Sequence, residues 1–110
     1  MTRIPMSRAA ASLLRALLSR AGKQSDRILL SECRSVDWQS LTFVGERHNL
    51  LLRFTGADAR VLVEDFCSGL GDAEFAIPGQ IVADIAVLGA PVREADGSIS
   101  IAIEALTIVE

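Results

Sequence analysis

The chain has 110 residues, half of them hydrophobic and 23% charged, with a net charge of −3. That is one domain's worth of material with ample core-forming residues, so intrinsic disorder is excluded, and the longest apolar run falls far short of the roughly 20 residues that span a bilayer as a helix. The charge is uneven: residues 1–27 carry six cations, Arg3 among them, against Asp26 alone, for +5, and residues 28–110 carry five arginines against thirteen acids, for −8. An acidic body argues against nucleic acid as a partner, because phosphate attraction supplies most non-specific affinity.

Ten arginines to one lysine, with abundant alanine, point to a GC-rich and bacterial source. Cys33 and Cys67 are 34 apart, and the chain has no secretory pattern. Free thiols in a cytoplasmic protein are the expectation.

Residues 1–22 read as a basic amphipathic helix. Ser7 suits the N-cap and Gly22 the position after the C-cap. Ala10, Leu13, Leu14, Leu17, Leu18 and Ala21 make one apolar stripe, and Arg8, Ser12, Arg15 and Ser19 the opposite face. The same stretch also has the arginine-rich, acid-free look of a transit peptide, and its basic stripe suits a membrane surface. A helix packed on the domain is the preferred reading, with its charge facing the acidic body.

Residues 27–110 read as an acidic sheet-and-helix body. Residues 27–35 predict a first strand, and 38–44 and 48–55 a hairpin around a Gly45-Glu46 turn. That register pairs Phe43 with His48 and Leu41 with Leu50. It puts Leu41, Phe43, Leu50, Leu52 and Phe54 on one face with His48 at its rim, and Trp38, Arg47, Asn49 and Arg53 on the other.

Thr55 to Asp58 resembles a capping box, opening a helix to about Leu70 with Ala59, Leu62, Val63, Phe66, Cys67 and Leu70 inward. A loop over 72–78 leads to a second hairpin, with arms 80–93 and 98–109 around Asp96-Gly97. Gly89 and Pro91 mark the first arm as an edge or bulged strand. In the second arm Ile99, Ile101 and Ile103 alternate cleanly, but Leu106, Ile108 and Val109 break the parity. Either a bulge or burial on both faces explains that.

The expected fold is thus a single α+β domain over residues 1–110, in α-β-β-β-α-β-β order, with two helices on one face of a five-stranded antiparallel sheet. The first five elements run in the order of double-stranded-RNA-binding domains. The acidic second helix, with Asp58, Glu64 and Asp65, lacks the basic start such a domain needs. The full order is similar to that of type III secretion chaperones, and the resemblance implies a small acidic dimer that holds an extended segment of another protein. The final helix of that family has no counterpart here.

No catalytic or metal site assembles from the sequence. His48 is the sole histidine, there is no Gly-x-Ser-x-Gly elbow, and no Cys-x-x-Cys or His-x-x-x-His spacing occurs. Gly69-Leu-Gly71 follows a helix rather than a strand, so it is no dinucleotide fingerprint. Asp84 and Glu104 interrupt apolar strands and are expected to pair with arginines such as Arg47 or Arg53.

Trp38, Arg47 and His48 cluster in the most chemically loaded stretch and are the candidate binding residues, with Glu74 as a further polar group. Two helices cannot cover both faces of the sheet, and the uncovered apolar face predicts a homodimer. The leading expectation is a non-enzymatic homodimeric protein-binding module, without cofactor. The alternatives are a ligand pocket or active site where Arg47, His48 and Glu74 converge, and a membrane-surface protein anchored by the first helix.

Overall fold

A computed structural model describes residues 4–110; Arg3, part of the basic segment, lies outside them. The described elements are α1 (Arg8–Ala21), β1 (Ile28–Gln39), β2 (Val44–Phe54), α2 (Ala59–Cys67), β3 (Gln80–Arg93) and β4 (Ile99–Val109). They form a small α+β domain with an antiparallel four-stranded sheet in the order β1-β2-β4-β3. No helix among the described residues is long and apolar enough to cross a membrane.

The sheet has four strands, not five. Residues 27–35 and 38–44 belong largely to one strand, because Val36 and Asp37 carry β1 straight on to Gln39. The hairpin turns instead at residues 40–43. There the Ser40 amide donates to the Phe43 carbonyl at 2.9 Å, and the Phe43 amide to Ser40 Oγ at 3.1 Å. A serine able to hold the turn with its own hydroxyl replaces the glycine that the sequence suggested.

The pairing moves accordingly: Gln39 faces Val44, Val36 faces Arg47, Ser35 faces His48 and Cys33 faces Leu50. Leu41 and Phe43, expected in the core, are exposed at the turn. The element order becomes α-β-β-α-β-β, so neither the chaperone-like nor the RNA-binding order survives.

Gly45 has another use. It lies inside β2, paired with Trp38 and Ile108, and without a positive φ. A Cβ there would run into the Thr107 carbonyl of β4. The residue is small because two backbones approach closely at that point.

Alternation assigns the faces of the sheet. Leu50, Leu52 and Phe54 of β2 and Ile99, Ile101 and Ile103 of β4 are buried with Leu13 and Leu17 of α1 and Leu62, Val63 and Phe66 of α2. Phe54 and Phe66 meet edge to face, with centroids 5.2 Å apart. The end of β4 keeps its register with β2, and Ala105, Leu106 and Thr107 are buried in succession. The strand has no bulge; Leu106 is buried on the outer parity, whereas Ile108 is half-buried and Val109 exposed. The bulges lie at residue 31 in β1, at residue 83 in β3, and around Gly89 and Pro91.

Helix α1 packs as its stripe requires. Ser7 Oγ accepts from the Ala10 amide, and Leu13 and Leu17 are fully buried. Arg8 and Arg15 of α1 are exposed, whereas Arg20, and Arg27 beyond the helix, turn to the protein's own body. Arg20 donates to the Phe66 and Ser68 carbonyls at the end of α2, at 3.0 and 2.9 Å, and its guanidinium lies over the Phe66 ring. Arg27 donates twice to the Thr55 carbonyl and pairs with Asp58. Asp58 therefore does not close a capping box: it precedes α2 without a side-chain cap, and Thr55 Oγ1 donates to the Arg27 carbonyl instead.

Candidate functional site

The helix face of the sheet holds a polar chain where an apolar row is expected. His48 lies at an inward position of β2, with Ser35 directly across on β1 and Thr107 diagonally across on β4. Its Nδ1 is 2.7 Å from Ser35 Oγ and its Nε2 2.8 Å from Thr107 Oγ1. His48 and Thr107 are both 0% exposed. The histidine is thus not at a rim, and it bonds two side chains rather than a backbone group. Burial lowers its proton affinity, and nearby Glu46 partly restores it.

One row beyond, Asp37 and Glu46 face each other across β1 and β2. With Ser35 they line a cleft of 380 Å³, closed on its other side by Pro5, Met6 and Ser7 at the start of α1. A hydroxyl reachable from solvent, bonded to an imidazole that is itself held from behind, is the geometry of a nucleophile and its base.

The opposite face of the sheet has no helix over it. Rows read across β1-β2-β4-β3 run Trp38–Gly45–Ile108–Ile81, then Val36–Arg47–Leu106–Asp84, then Arg34–Asn49–Glu104–Ala86, then Glu32–Leu51–Ala102–Leu88. Val36, Ile81 and Leu88 are exposed, whereas Leu106 is buried among its neighbours. Arg47 pairs with Glu104 at 3.1 Å, as the sequence suggested, and Asp84 stands exposed. Arg53 pairs with Asp96 of the second hairpin turn, whose carboxyl is held below its ordinary range by hydrogen bonds from Ser98 and by that guanidinium.

The four residues singled out from the sequence therefore divide. Trp38 and Arg47 share the open face, in adjacent rows. His48 points to the helix face, and Glu74 lies exposed in the loop after α2, beside Ser19 and Arg20 of α1. Arg47, His48 and Glu74 do not converge on one pocket. Ser35 and Thr107, which complete the histidine's surroundings, escaped sequence reasoning. Their only signal was being polar at inward strand positions, and that parity is readable only once the turn is correctly placed.

Among the described residues no cluster of histidine, cysteine and carboxylate groups could hold a metal ion. Cys33 and Cys67 are free and half-buried, and burial pushes both thiols above their usual range. Neither has the depressed pKa of a reactive cysteine. No family model, no curated protein and no solved structure matches the chain.

Proposed function

We propose that the protein is a homodimeric protein-binding module that pairs with a second copy of itself through the open face of its sheet. The observation that carries this reading is the set of exposed apolar side chains, Val36, Ile81 and Leu88, on a face that no helix covers. Apolar side chains left exposed on both edges of an uncovered sheet face are surface that a partner would cover.

Area and charge both support a second copy as the occupant. Four strands about 4.8 Å apart, each giving this face about five residues at about 6.8 Å spacing, offer about 650 Å² per copy, or about 1,300 Å² in all, within the range of stable interfaces. Arg34 stands on the β1 side of this face with Glu32, and Asp84 on the β3 side, while Arg47 and Glu104 already pair with each other between them. A two-fold axis along the strands, between β2 and β4, lays β1 of one copy over β3 of the other and brings Arg34 towards Asp84, a pairing that an isologous contact makes twice.

The partner protein then meets a sheet edge, adding an extended segment to β1. That edge has one bulge and no proline, whereas β3 is broken around Gly89 and Pro91. Free Cys33 and Cys67 fit a reducing cytoplasm. A membrane anchor fits less well, because the apolar stripe of α1 is spent on the core.

The test is to place charge on the open face. Val36→Glu and Ile81→Glu are expected to give folded monomers with unchanged far-ultraviolet dichroism. Val61→Glu, at an exposed position on α2, is expected to leave the dimer intact. Equal behaviour of all three variants would refute the assigned face.

A further inference from the structure

We propose that Ser35 is an acyl-accepting nucleophile, with His48 as its base and Thr107 holding the imidazole in place, and that its substrates are small uncharged or cationic esters. The site lies on the helix face and does not depend on dimer formation.

Three observations converge on it. The first is distance: 2.7 Å from Ser35 Oγ to His48 Nδ1 and 2.8 Å from His48 Nε2 to Thr107 Oγ1 are both full hydrogen bonds. In the Nε2–H tautomer Thr107 accepts, and the Nδ1 lone pair is left for the Ser35 proton. The second is access. Ser35 lines the cleft, and His48 and Thr107 are buried behind it, so the Nδ1 edge of the imidazole is reached only past Ser35. The third is the wall of that cleft: Ser7, the N-cap of α1, sits opposite Ser35. The positive dipole end of α1 favours negative charge developing on a carbonyl oxygen nearby.

The chemistry closes with water alone. Ser35 Oγ bonds the acyl carbon, and the bond from that carbon to the leaving oxygen breaks. The hydroxyl proton passes to His48 Nδ1 and then to the leaving alcohol. Water repeats the route, releasing the acid and restoring Ser35.

Asp37 and Glu46 at the mouth set the substrate class, since two carboxylates repel an anionic ester and attract a cationic one. The titratable groups around His48 are Glu46 on its own strand and Asp37 and Cys33 on β1. Of these, Glu46 acts on the imidazole electrostatically, raising its proton affinity against the stronger effect of burial.

An uncharged fluorophosphonate, followed by intact mass and peptide mapping of the full chain, tests the proposal. A single adduct on Ser35 is expected, in preference to exposed Ser40 or Ser68, with labelling that falls as pH drops and the imidazole protonates. Thr107→Val is expected to slow labelling about tenfold or more with the fold intact, and Thr107→Ser to restore it. p-Nitrophenyl acetate should show a burst that Ser35→Ala abolishes. Absence of a Ser35 adduct in the folded wild-type chain would overturn the proposal. So would labelling that responds neither to pH nor to Thr107→Val.

Discussion

Single atoms decide much of this fold. A methyl group at Gly45 would collide with the Thr107 carbonyl, which is backbone of the neighbouring strand and cannot swing aside. Gly45→Ala is therefore expected to cost about 2–3 kcal/mol, read as a lower urea midpoint at unchanged slope. His48 gives the molecule a pH dependence of definite sign. Unfolded, its imidazole takes up a proton near pH 6.5, and folded it does so at a lower value.

Between those two values the unfolded chain binds more protons, so stability present above about pH 6.5 falls as pH drops, by at most about 1.4 kcal/mol per unit. Urea midpoints at pH 7.5 and 5.5 should differ for the wild type and converge for His48→Gln. Asp58 and Asp96, both held below the usual carboxylate range by hydrogen bonds, add a second loss at more acidic pH. It sets in as pH falls below about 4.

At the scale of elements, α1 is structural and not an appendage. Leu17 is wholly buried among the sheet and α2 residues of the core, so Leu17→Ala is expected to cost about 2–5 kcal/mol in urea melts. A chain lacking residues 1–21 should lose cooperative unfolding altogether. This helix was readable from the sequence because cap, stripe and terminal glycine all agreed. So were α2 and the β3–β4 hairpin, where Asp96-Gly97 falls between the strands.

The β1–β2 hairpin was not readable. Gly45-Glu46 imitates a two-residue turn, yet the glycine answers a contact with β4 that no local pattern encodes. Misplacing the turn shifted every pair, moved Phe43 inward and put His48 at a rim. Ser35 and Thr107 are 13 and 59 residues from His48 in the chain, so only tertiary pairing brings the three together.

For the whole molecule, two helices cover one side of a four-stranded sheet and leave the other side open. The uneven charge of the chain is met within it in part, as Arg27 pairs with Asp58 before α2 and Arg20 donates to carbonyls at the end of α2. On the open face Arg34 and Glu32 stand on β1 and Asp84 on β3, with the Arg47–Glu104 pair between them. The most direct test is the solution mass of the full chain by light scattering on a sizing column at micromolar concentration. The expected result is twice the chain mass of 11.8 kDa, falling to a single chain in Val36→Glu. A wild-type chain that elutes as a folded monomer would contradict the account.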